Sequence, residues 1–191
     1  MFSFFKQRAS PQDIAEGFFE SIRDNAESGY LKKMYPDKAP LGIEIIKDEW
    51  IYFDVFSFDF TTFLAFGETP TKHAILNPFS FLIANWLKNR QAPRITEPRM
   101  IITGFDNIGN PTFIPEEEGE PALNRLKRRV LTYSEAMKKP CDLGGNYMIA
   151  ATFAALCGID FSDTPYIVGI SEYFSSRKIQ QTNYLKSLRI S

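Results

Sequence analysis

The chain has little of what most active sites are made from. Among its 191 residues there is one histidine, His73, and there are two cysteines, Cys141 and Cys157. A lone imidazole cannot build a histidine-based metal cluster within one chain. As a general base it would need an orienting acid, and Glu68 is the nearest in sequence; a surface position is the simpler expectation. Two thiols match neither a disulfide framework nor a zinc ligand set, and they suit a reducing compartment. Cys157 follows an alanine-rich apolar run and reads as an inert core thiol, whereas Cys141 reads as exposed.

Charge bias is missing as well: 22 basic residues against 23 acidic leave a net charge of −1. That balance supplies no global attraction for nucleic acid or an anionic membrane. Long apolar runs free of charge are absent, and the opening MFSFFKQRAS lacks the extended apolar core of a signal peptide. The expectation is a soluble, cytoplasmic protein with no nucleic-acid partner. Catalytic signatures fail on inspection. Ser171 in GISEYF has Tyr173 where a nucleophile elbow needs its second glycine. DNIGN puts Ile108 where a calcium loop needs a ligand. Neither a catalytic residue nor a cofactor follows from the sequence, and no metal site does.

What the chain has is aromatic side chains, 15% of all residues, 18 of them phenylalanine. Six of those phenylalanines fall between Glu49 and Gly67, in EWIYFDVFSFDFTTFLAFG. Both alternation phases of this run are apolar and no Gly or Pro interrupts it, so its length favours a helix over a strand. Apolar nearly all round, it reads as a buried central helix; Asp54 and Asp59 argue against a lipid setting. At about 100° per residue, Asp54, Ser57 and Thr61 share one narrow stripe. Asp59 lands nearly opposite, among Tyr52, Phe56 and Phe66. Gly67 ends the helix with a positive-φ cap.

Around it the chain reads as further helices. Ser10-Pro11 opens the first, with Ile14, Phe18 and Ile22 at helical spacing, and Gly29 ends it. LGIEIIKD is either an extended lead-in or the first turns of the central helix. Thr69-Pro70 opens the third, with a kink or break expected near Asn77 because of Pro78. Residues 92–120 are rich in proline and glycine, with a short hairpin as one reading of 99–114. Pro121 begins the fourth helix, its stripe Leu123, Leu126, Val130, Tyr133 and Met137, with Arg125, Arg128 and Glu135 facing away. Lys127-Arg128-Arg129 reads as a solvated edge, with Arg129 at the border of the buried stripe. NYMIAATFAALC is the fifth, its alanines inviting an aromatic neighbour, and Thr164-Pro165 opens the last. The fold class is therefore all-α: about six helices in a globular bundle around 49–67. The chain reads as one domain over 1–191, with halves 1–91 and 121–191 joined by 92–120.

Three places are candidates for function. Asp59, a carboxylate among aromatics, must be paired, hydrogen-bonded or protonated, and Arg129 and Tyr133 are its expected partners; a purely structural core pair, or a helix angle that leaves Asp59 in water, is the competing reading. Gly144-Gly145, opening a helix after Lys138 and Lys139, offers backbone amides to an anion; a plain flexible cap is the competing reading. Phe2, Phe4 and Phe5 form a greasy tip that could touch a membrane surface or fold back onto the domain. The expected function is non-catalytic, through contacts with another protein or a second copy in a homodimer. The alternative is a small-molecule-binding or enzymatic bundle with a largely apolar pocket near Asp59.

Overall fold

A computed structural model describes residues 8–27, 42–88, 100–105, 111–115, 121–139, 144–159 and 163–190. The helices are α1 (Pro11–Glu27), α2 (Ile43–Phe66), α3 (Pro70–Lys88), α4 (Ala122–Lys138), α5 (Gly145–Leu156) and α6 (Thr164–Ser187). The short strand β1 (Arg8–Ala9) pairs in parallel with β4 (Arg189–Ile190), tying the start of α1 to the end of α6. An antiparallel hairpin joins β2 (Met100–Phe105) to β3 (Pro111–Pro115) with an irregularity between Ile102 and Gly104, and β2 lies against α4 and α5. Among the described residues the chain is an all-α bundle of six helices, as its periodicity predicts.

Local chemistry sets the helix ends. At α1 the Ser10 Oγ accepts the Asp13 N–H at 3.1 Å, while Asp13 Oδ2 accepts the Ser10 N–H at 3.0 Å, a reciprocal capping box. The Thr69 hydroxyl accepts the Lys72 N–H at 3.4 Å at the start of α3. Asp163 rather than Thr164 caps α6, accepting the Tyr166 N–H at 3.3 Å. Gly67 ends α2 at φ +64°, a region costly for any side chain, and its N–H bonds the Phe63 carbonyl. Pro78 does not break α3, which is assigned as helix from Pro70 to Lys88.

Helix α2 is the axis of the packing, and IEIIKD proves to be its first turns behind the N-cap Gly42, so it starts well before Glu49. One cluster joins Trp50, Phe53 and Phe56 of α2 to Tyr133 of α4, Phe153 of α5 and Phe174 of α6. Small Ala150, Ala151 and Ala154 on α5 lie in this cluster, where Phe153 meets Trp50 at 4.5 Å and Phe53 at 5.3 Å between ring centroids. The other cluster joins Ile51, Tyr52, Val55 and Phe58 of α2 to α1 and α3, with Phe58 against Phe79 at 4.5 Å. An all-round apolar helix thus buries both flanks, one in each cluster. No described helix is long and apolar enough to cross a membrane.

Candidate functional site

The expected partners of Asp59 converge on a different carboxylate. Arg129 Nε donates to Glu49 Oε2 at 2.9 Å, and the Tyr133 hydroxyl donates to Glu49 Oε1 at 3.0 Å. All three side chains are buried. Arg125, expected to face away, is 1% exposed, and Arg129 is no solvated edge. The reason is charge: Asp48 and Glu49 bring two buried carboxylates to this end of α2, and burial requires compensating cations. Arg125 and Arg129, four apart on α4, present both guanidiniums on one face. Burial raises the Tyr52 phenol above its ordinary range, with Asp48 adding to the shift and Arg125 opposing it. The Tyr133 phenol is raised likewise, first by burial and then by Glu49. Sequence reasoning missed Glu49; the signal was an adjacent acid pair in an apolar run facing an Arg-x-x-x-Arg helix.

The stripe of Asp54, Ser57 and Thr61 faces α6 as a second polar seam. Arg177 Nη2 lies 3.4 Å from Asp54 Oδ2, and Gln181 Oε1 accepts from Ser57 at 3.3 Å and from Thr61 at 3.2 Å. Burial raises the Asp54 pKa from 3.8, opposed by Arg177 and by a hydrogen bond from Asn25 of α1.

Asp59 itself stands apart from Arg129 and Tyr133, on the wall of an open groove of about 520 Å³ between α2, α3 and α4. Helix α2 supplies Val55 and Asp59, and α3 supplies Leu76, Phe79, Ser80 and Ile83. Helix α4 supplies Leu123, Leu126, Lys127, Val130 and Leu131. The Asp59 side chain is 42% exposed, and its nearest cation, Lys72 Nζ, is 4.0 Å from Oδ1. Lys72 is held more closely by Glu68 Oε1, at 2.6 Å. Partial burial raises the Asp59 pKa from 3.8, with Lys72 opposing and Glu68 assisting. A volume in this range, apolar walls and few polar groups fit the usual form of a small-molecule site.

The remaining candidates are quieter. Gly144 sits at φ +85° as the N-cap of α5, with no side chain capping that end. A Cβ on Gly145 would stand 2.9 Å from Met137 Sδ and 3.1 Å from the Met137 carbonyl, so close helix packing explains this glycine. His73 is exposed, 3.7 Å from Glu68, and the Cys157 thiol is buried. Cys141 and the tip of Phe2, Phe4 and Phe5 lie outside the described residues. Among the described residues no group of three His, Cys, Asp or Glu side chains could hold a metal ion. A scan against protein-family models, a search of curated proteins and a search of solved structures each found no match for this chain.

Proposed function

We propose that this protein binds a small, largely apolar molecule in the groove between α3 and α4 without transforming it. The observation that carries this reading is a groove of about 520 Å³ whose floor is α2 and whose polar side chains are Asp59, Ser80 and Lys127. Among the described lining residues there is neither a histidine nor a cysteine, and Ser80 is the one hydroxyl. The expected setting is the cytoplasm, on the grounds of composition. An uncharged apolar dye such as Nile red should brighten on titration with the protein. Ser80 is exposed on the groove wall, so Ser80→Trp should fill the space with little cost to the fold and weaken the dye by about ten-fold or more. Dye binding unaffected by Ser80→Trp would remove the groove as the site.

Contact with a second copy of the chain or another protein is the second reading. It is favoured by Phe81 and Leu131, large apolar side chains left 67% and 64% exposed on α3 and α4. Light scattering across a concentration series checks the homodimer. A mass fixed at one chain, unchanged by Phe81→Asp, would count against it.

A further inference from the structure

We infer that the ligand of the groove is an amine: its apolar body lies between α3 and α4, and its protonated nitrogen sits on the Asp59 carboxylate. This rests on the groove reading above and adds the chemistry of the head group. Asp59 is the one acidic side chain among the described lining residues, and among the described residues it accepts no hydrogen bond. Its closest cation stands 4.0 Å away and is engaged by Glu68 at 2.6 Å. A carboxylate half out of water with open acceptor positions favours a donor that is itself charged. Burial raises its pKa, and a bound ammonium would bring it back down.

The groove's other charge, Lys127, does not reverse this preference. A lysine lays its apolar stem along a wall while its ammonium turns out to water, and Lys127 is exposed as a residue. Asp59 is two bonds from its backbone and has no such freedom. The wall of α3 from Leu76 to Ile83 runs about 10 Å along the helix axis, enough for a medium-length alkyl chain.

Calorimetric titration of the full chain with octylamine, octanoate and 1-octanol separates the possibilities. Octylamine should bind about ten-fold tighter than octanoate, and Asp59→Asn should erase that lead while leaving 1-octanol binding in place. Lys127→Ser should leave octylamine ahead, which keeps the test decisive if Asp59→Asn folds poorly. If octanoate binds as tightly as octylamine, or the lead survives Asp59→Asn or vanishes in Lys127→Ser, the amine assignment is overturned and the groove reading stands. If none of the three binds, both fall.

Discussion

Glu49 and Asp59 are carboxylates on the same helix with opposite circumstances. Glu49 is fully buried and accepts from both Arg129 and Tyr133; Asp59 keeps 42% of its side chain in water. Removing Glu49 takes one carboxylate away from a buried guanidinium, so Glu49→Ala should cost about 3–5 kcal/mol in urea denaturation. Tyr133→Phe keeps the ring and loses one hydrogen bond to a charged group, which is worth about 1.5–3 kcal/mol. Asp59→Asn at its half-exposed site should stay within about 1 kcal/mol of the parent. If Asp59→Asn proves as damaging as Glu49→Ala, the assignment of the buried pair to Glu49 is wrong. The sequence identified Arg129 and Tyr133 as a polar pair reaching α2 but misplaced their target. Helical periodicity fixes the angle at which a side chain leaves the axis, not the height at which a neighbouring helix crosses. Ten residues separate Glu49 from Asp59, about 15 Å along that axis.

Elements were legible where one helix carries its own rule. A Ser-Pro or Thr-Pro start placed α1, α3 and α6, Pro121 with its apolar stripe placed α4, apolar runs before Gly67 and Gly158 placed α2 and α5, and the stripe of Asp54, Ser57 and Thr61 emerged from rotation alone. What those residues touch was not legible, because Arg177 and Gln181 lie more than a hundred residues away. That seam has a pH signature. Asp54 has a folded pKa above its ordinary 3.8, so the folded chain takes up its proton at higher pH than the unfolded chain. A raised carboxyl contributes stability that is complete below about 3.8 and is lost as pH rises through the folded pKa. Wild type should therefore gain on Asp54→Asn as pH is lowered from about 7 to about 4, because the variant has no such proton to bind. Urea midpoints of both proteins across that range measure it. A gap that is constant with pH, or that moves against wild type on acidification, contradicts the burial of Asp54 as an ionisable group.

At the scale of the whole molecule, the question raised by the Pro- and Gly-rich 92–120 is whether the chain unfolds as two halves. The packing argues for coupling through α2. Phe53 belongs to the cluster with Phe153 and Phe174, and Phe58, little more than one turn further on, belongs to the cluster with Phe79. Neither cluster can come apart without baring one flank of a helix that is buried along most of its length. The ends are tied as well, since β1 ahead of α1 pairs with β4 behind α6. Phe153→Ala in one cluster and Phe79→Ala in the other should each cost about 3–5 kcal/mol, the usual range for a buried phenylalanine. Each loss should shift one common transition. Far-ultraviolet circular dichroism, reporting helix, and tryptophan fluorescence should move together in both variants. Trp50 lies in the first cluster and Trp86 packs against the second, so the fluorescence signal draws on both sides of α2. If Phe79→Ala instead produces an early transition seen by one probe and leaves a second at the wild-type midpoint, the clusters are separable. The reading of two halves joined at 92–120 would then replace that of a single cooperative bundle.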